Sequence, residues 1–172
     1  MALSVTFFSD LRDIPPVLDF EASSLSDTSY PITVGLVVKG IIHYWIIKPK
    51  PDWVDWSLAS QAIHGIKRSY LIDHGIEQDE VLREIHEALR GITTTYSDNP
   101  YWERRWLSQL GELDVEVQDI KELVPTELHA EWKDVMQAQF KIYNLMPHRA
   151  DHDALAISLA LKSLTELSRE FD

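Results

Sequence analysis

The stretch "VLDFEAS", Val17 to Ser23, sets two carboxylates into what reads as the end of a buried strand. The apolar residues around them predict a strand over Val17–Glu21. Alternate side chains of a strand share a face, so Asp19 and Glu21 project together, roughly 7 Å apart, while Phe20 points the other way. Two like charges on one face repel and resist burial. Either cations sit between them or the strand end is wet. A pair of solvated acids on an exposed edge is the plain alternative.

The rest of the composition narrows the setting. A chain of 172 residues with 45% hydrophobic content predicts one domain, 1–172, with a real core. No apolar run approaches the ~18 residues of a membrane span. The opening "MALSVTFFSDLRD" lacks a basic leader region and carries Asp10, which argues against a signal peptide. The absence of cysteine rules out disulfides and thiolate metal sites and fits a reducing, cytoplasmic location. The net charge of −12 argues against a broad electropositive surface for long duplex nucleic acid. It leaves room for an enzyme that grips a chain end and borrows positive charge from divalent cations.

Working outward from the first strand, "PITVGLVVKG" and "IIHYWIIKPK" are β-rich and meet at Lys39-Gly40, which predicts an antiparallel hairpin ended by Pro49 and Pro51. Helices are expected over "DWSLASQAIHG", "KRSYLIDHG" and "EQDEVLREIHEALRG", closed by Gly65, Gly75 and Gly91. "ITTTYS" reads as strand 4, "PYWERRWLSQLG" as a helix opened by Pro100, and "LDVEVQDI" as strand 5. A long helix is expected over Thr126–Tyr143, and a last one from Pro147-His148 to about Arg169. The order predicts an α/β domain with a mixed five-stranded sheet flanked by helices.

The final helix opens with "MPHRADHDALAISLAL". His148 stands just before it and Asp153 lies in its first turns. Each alone reads as a cap or a dipole-serving acid. Together with Asp19-Phe20-Glu21 they form D-x-E near the start and H-x-A-x-x-D near the end. In this the sequence resembles the DEDDh 3′→5′ exonucleases of ribonuclease H-like fold, the group of the proofreading exonucleases and oligoribonuclease. "AIHGI", Ala62–Ile66, is similar to their His-Gly-Ile element, and the resemblance runs from about Pro16 to Leu161.

The middle motif departs from that family, which carries an Asp in the first turn of the helix after strand 4. In "SDNPYWERRWL" the matching position is Glu103, with Asp98 as the rival acid. Glu103 shares a helix face with Trp106 and Leu107. Asp98 has an alternative use as a helix cap ahead of Pro100. A Glu is one methylene longer than Asp, so weaker or manganese-preferring activity is an expectation.

The resemblance implies a site in which Asp19, Glu21 and Asp153, with Glu103 or Asp98, hold two Mg2+ or Mn2+ ions for phosphodiester hydrolysis. Hard oxygen ligands suit those ions. It implies His148 as the general base, and His64, Gly65 and Phe20 on the substrate side. The expected activity is removal of nucleoside monophosphates from the 3′ end of single-stranded or short nucleic acid. DNA and RNA are not distinguished, and a homodimer is compatible with the sequence. A zinc pair at His148 and His152 lacks the accompanying motif. Tryptophans 53, 56, 102, 106 and 132 divide between core and base stacking, and Arg104-Arg105 and Lys67-Arg68 between solvated faces and phosphate contacts. The rival functions are a catalytically impaired interaction module and an endonuclease on the same fold.

Overall fold

Strands β1 (Thr6–Phe7), β2 (Val17–Ala22), β3 (Pro31–Val38), β4 (Ile41–Ile46), β5 (Thr94–Ser97) and β6 (Glu116–Asp119) form one sheet in the computed structural model, which describes residues 6–170. Their order is β1-β4-β3-β2-β5-β6. β2, β3, β4 and β1 pair antiparallel, whereas β5 and β6 run parallel to β2. The mixed five-stranded sheet expected from the sequence is thus present, extended at one edge by β1. A strand of two residues carries no readable alternation. At the β3–β4 turn Lys39 and Gly40 both have positive φ, 51° and 76°. That is the backbone a tight hairpin of right-handed twist requires.

Among the described residues, six α-helices flank the sheet: α1 (Leu58–His64), α2 (Arg68–His74), α3 (Gln78–Ala88), α4 (Pro100–Leu110), α5 (Trp132–Ile142) and α6 (Ala150–Glu170). The long helix expected over Thr126–Tyr143 is broken. Thr126–Leu128 makes one tight turn, and α5 begins only at Trp132. The His129 ring explains the break: its Nε2 lies 2.9 Å from the Val124 carbonyl and 3.0 Å from that of Lys121, folding this segment back on the preceding turn. α5 ends where Asn144 takes a left-handed φ of 52° and the Leu145 N–H returns to the Phe140 carbonyl at 2.8 Å, a helix stop that suits Asn.

The alternation of β2 separates two cores. Leu18 and Phe20 face α3 and α4 and pack with Val34, Leu36, Val81, Ile85 and Trp106. Val17 faces the other way and packs with Val37 and the α6 residues Leu155, Ile157 and Leu161. Asp19 and Glu21 share the parity of Val17, so they point toward α6. Gly35 pairs with Asp19 across β2 and β3. A Cβ at Gly35 would overlap the backbone of Ala150 and Asp151, so only glycine lets the start of α6 rest on the sheet. That close approach carries Asp153 to the two β2 acids. Among the described residues, no helix is long and apolar enough to cross a membrane.

Candidate active site

β2 outruns its parallel neighbour. Only Val17 pairs with β5, through Tyr96, so beyond it the β2 edge facing α4 is open. The acids cluster at this open end. Carboxylate oxygens of Asp19, Glu21 and Asp153 lie within 4.8 Å of one another. Asp98, Glu103, His64 and His148 join them in lining a cleft of about 440 Å³.

Crowded carboxylates in a partly dry site hold protons. Burial, then the charge of Asp153 and a hydrogen bond to it, pushes Glu21 up to about 8. Burial also pushes Asp153 up to about 7, although backbone donors at Arg149 and His148 and the bond to Glu21 oppose this. The pair therefore shares a proton near neutral pH. Asp19 is raised well above the ordinary carboxylate range by burial, then by Glu103, Asp153 and Glu21.

Glu103 is almost fully buried, 3% exposed, in the first turn of α4. Burial and the charge of Asp98 raise its pKa, and a hydrogen bond from the Phe20 backbone opposes them. It thus serves the edge that β5 leaves unpaired. Its Oε2 is buried with no partner. Asp98 is not the helix cap allowed for by the sequence. Asn99 occupies the cap position, no side chain caps that helix, and the Asn99 N–H goes to Ser97 Oγ at 3.1 Å. The Asp98 carboxyl faces the cleft instead, raised by burial.

The histidines differ. His64 ends α1, where Gly65 takes a left-handed φ of 73° and stays outside the cleft lining. The Ile66 N–H donates to His64 Nδ1 at 3.1 Å, which leaves the proton on Nε2, buried and without a partner. Burial, then His148, lowers its pKa to about 4, so this ring is neutral. His148 is exposed in the loop before α6, with a left-handed φ of 61°. His152 turns away: its Nδ1 accepts the Met146 N–H at 2.8 Å. The His148–His152 zinc pairing is therefore absent.

Phe20 borders the cleft while its ring packs edge-on against Trp106, 6.5 Å between centroids. Trp102 and Trp106 stack at 5.3 Å and both line the cleft, whereas Trp132 is core and Trp53 stacks on Tyr30. The arginines weighed as phosphate ligands are already engaged. Arg104 Nε donates to the Val117 carbonyl at 2.7 Å, Arg105 to that of Asp27, and Arg68 to Tyr30 and Trp53.

Several contributors carried no sequence signal. Gly35 matters only because α6 lands on it. Met136, Gln137 and Phe140 form the α5 wall of the cleft. Asp55 accepts hydrogen bonds from Ser23 and Ser24 and ties the approach to α1 to the end of β2. An Asp ahead of an Ser-capped helix is a detectable cue, but its partners 31 and 32 residues away are not.

The donor set fits divalent cations. Three carboxyls converge and Asp98 and Glu103 line the same cleft, so hard oxygens gather at one place, and the buried Glu103 Oε2 lacks any partner. No family model matches the sequence, and no curated protein matches it. Solved structures do. Exonuclease X in complex with 5′ overhanging duplex DNA superposes with a TM-score of 0.60 at 18% identity, covering 90% of this chain and 92% of its own. The RNase domain of the yeast Pop2 protein gives 0.63 at 12% identity, over 90% of this chain and 77% of that one. E. coli exonuclease I bound to a dA16 oligonucleotide gives 0.66 at 15% identity, over 91% of this chain but 42% of the larger protein. The chain has the ribonuclease H-like α/β fold of these nucleases.

Proposed function

We propose that the protein is a metal-dependent 3′→5′ exonuclease that releases nucleoside monophosphates from single-stranded or short nucleic acid. One observation carries the reading: three carboxylates from β2 and α6 converge within 4.8 Å in a cleft that also holds two histidines. Asp19, Glu21 and Asp153 are the ligands for two Mg2+ or Mn2+ ions. Glu103 is the fourth acid, supported by its unpartnered buried Oε2, and Asp98 stands in reserve beside it. Bound there, the ions would polarise the phosphodiester and acidify the attacking water.

The chain's own groups do the rest. His148, exposed at the cleft mouth, takes the proton from that water on an imidazole nitrogen. His64 donates its Nε2–H to the terminal nucleotide, which it can do because the ring is neutral and Nδ1 is already occupied. Gly65 leaves open space beside it, and Phe20 braces the floor from the core side.

The test uses one oligonucleotide as RNA and as DNA, labelled at either end, with Mg2+ or Mn2+. The 5′-labelled strand should give a ladder shortening one nucleotide at a time, and the 3′-labelled strand a mononucleotide from the start. EDTA should stop both. Internal cuts from the outset would make the protein an endonuclease. Binding with no hydrolysis would make it an impaired nucleic-acid module. For the fourth acid, Glu103→Gln should abolish turnover while Asp98→Asn retains it; the opposite result moves the role to Asp98.

A further inference from the structure

The residues on either side of His148 are fixed. On the α6 side, Arg149 makes a two-pronged ion pair with Asp151, Nε to Oδ1 at 2.7 Å and a terminal nitrogen to Oδ2 at 3.0 Å. Asp151 is 8% exposed, so the pair is anchored in the protein rather than in solvent. The Arg149 guanidinium also lies 5.1 Å from the centre of the Tyr44 ring on β4. Tyr44 pairs with Gly35, the residue on which α6 rests. The Arg149 carbonyl accepts the N–H groups of His152 at 2.8 Å and Asp153 at 2.9 Å, so the same residue opens the helix. On the α5 side, His152 Nδ1 takes the Met146 N–H. Between these two fixings sits His148, exposed and in a left-handed conformation that non-glycine residues seldom adopt.

We propose that Tyr44, Arg149 and Asp151 form a clamp that positions His148, with Arg149 acting through the histidine and not on the substrate. This rests on the reading of His148 as the base. A planar guanidinium that both stacks on an aromatic face and forks onto a carboxylate fixes its own backbone in a way a lysine cannot. The neighbouring imidazole is thereby held at one place over the cleft. A base displaced by about 1 Å loses on the order of 100-fold in rate, so the clamp has room to matter.

The experiment is a double-mutant cycle on the full chain, read as kcat and KM with a 5′-labelled single-stranded oligonucleotide at saturating Mn2+. Arg149→Ala should lower kcat about 10-fold or more with KM nearly unchanged, a loss of the size found for outer supporting residues. In a His148→Ala background the same change should cost less than about 2-fold, because the residue it positions is gone. Arg149→Lys should not restore kcat. Tyr44→Leu, which leaves the ion pair intact, should give a smaller loss of the same kind and guards against misfolding of the Arg149 variant. The rise in melting temperature with Mn2+ should persist in each. Full additivity in the cycle, rescue by lysine, or a loss confined to KM would each overturn the proposal, the last making Arg149 a phosphate contact. Full activity in His148→Ala would remove the base and the clamp's purpose with it. A wild type without hydrolysis would sink the nuclease reading. The clamp is then decided by the His148 13Cα shift, expected to leave its left-handed value in Arg149→Ala; an unchanged shift overturns it.

Discussion

Helices α1 and α6 both deliver residues to the cleft, and they are held by opposite means. α6 buries a row of Ala154, Ile157, Ala160, Leu161 and Leu164 against the sheet and α5. α1 buries no residue at all, and Leu58 and Ile63 stand exposed on it. It is tied by hydrogen bonds: Ser57 caps it, Asp55 latches its approach to Ser23 and Ser24, and Trp56 Nε1 reaches Gln61. Apolar burial fixes an element in three dimensions, whereas a few exchangeable hydrogen bonds leave it free to adjust. Asp153 of the proposed metal site is thus mounted on the apolar-packed element and the cleft-lining His64 on the hydrogen-bonded one. On the proposed reading, geometry that must hold within tenths of an ångström and geometry that must admit different bases fall to different helices.

The sharpest way to break this division is through activity. Asp153→Asn on α6 and Asp19→Asn beneath it should each lose at least ~100-fold in turnover, since outer-shell supports of metal ligands alone cost about 10–100-fold. Both proteins should stay folded. Undiminished hydrolysis in either would remove that residue from the site. The next largest contrast is in stability. Leu161→Ala, in the buried row of α6, should cost about 2–5 kcal/mol in chemical denaturation, while Ile63→Ala on α1 should stay within roughly 0.5 kcal/mol. Equal costs would mean that α1 is packed after all.

Recognition sharpens the comparison further. His64→Ala should raise KM about 5- to 10-fold, the worth of one hydrogen bond left unmade, with kcat little changed. Because the ring is neutral above its pKa of about 4, the KM of the wild type should stay flat from pH 5.5 to 8.5 as far as His64 governs it. A rise in KM with a midpoint near the ordinary histidine value would show a charged ring instead. The remaining effect is thermal. Glu21 and Asp153 titrate near 8 and 7 in the folded state and near ~4 when unfolded, so the folded protein binds more protons between those values. Their contribution to metal-free stability should therefore be fullest at and below about pH 4, fall as pH rises through 7 and level off above about 8. Glu21→Gln should flatten that fall, and Mn2+ should offset it most at the alkaline end. A melting temperature in EDTA that climbs from pH 5 to 8 would contradict the raised values.

α6 was readable because its signals are local: small and apolar residues at helical spacing, preceded by a motif six residues long. The paired acids of β2 were readable for the same reason. The Thr126–Tyr143 helix was misjudged because its apolar spacing is real on both sides of the break, and the interruption comes from a histidine folding back on carbonyls five and eight residues away. The middle acid could not be settled by spacing, since both Asp98 and Glu103 reach the cleft, one from the end of β5 and one from α4. Gly35 and Tyr44 gave no signal because their roles exist only once α6 has crossed the sheet. Arg149 and Asp151 lay inside the motif as its variable positions, and their pairing with each other and with β4 is a tertiary fact.

The stacked indoles of Trp102 and Trp106 have a practical consequence. The two rings lie 19° from parallel with centroids 5.3 Å apart, and Trp106 is anchored by its Nε1 on Ser29. Chromophores fixed at that distance couple their ultraviolet transitions. They also share α4 and one wall of the cleft with Glu103. A cation drawn to that carboxylate, or a base entering beside Trp102, changes the field at the coupled pair. The protein accordingly carries its own optical reporter: near-ultraviolet circular dichroism and tryptophan emission should follow occupancy of the cleft with no label attached, and Trp102→Phe should silence that signal while leaving the remaining indoles as an internal reference.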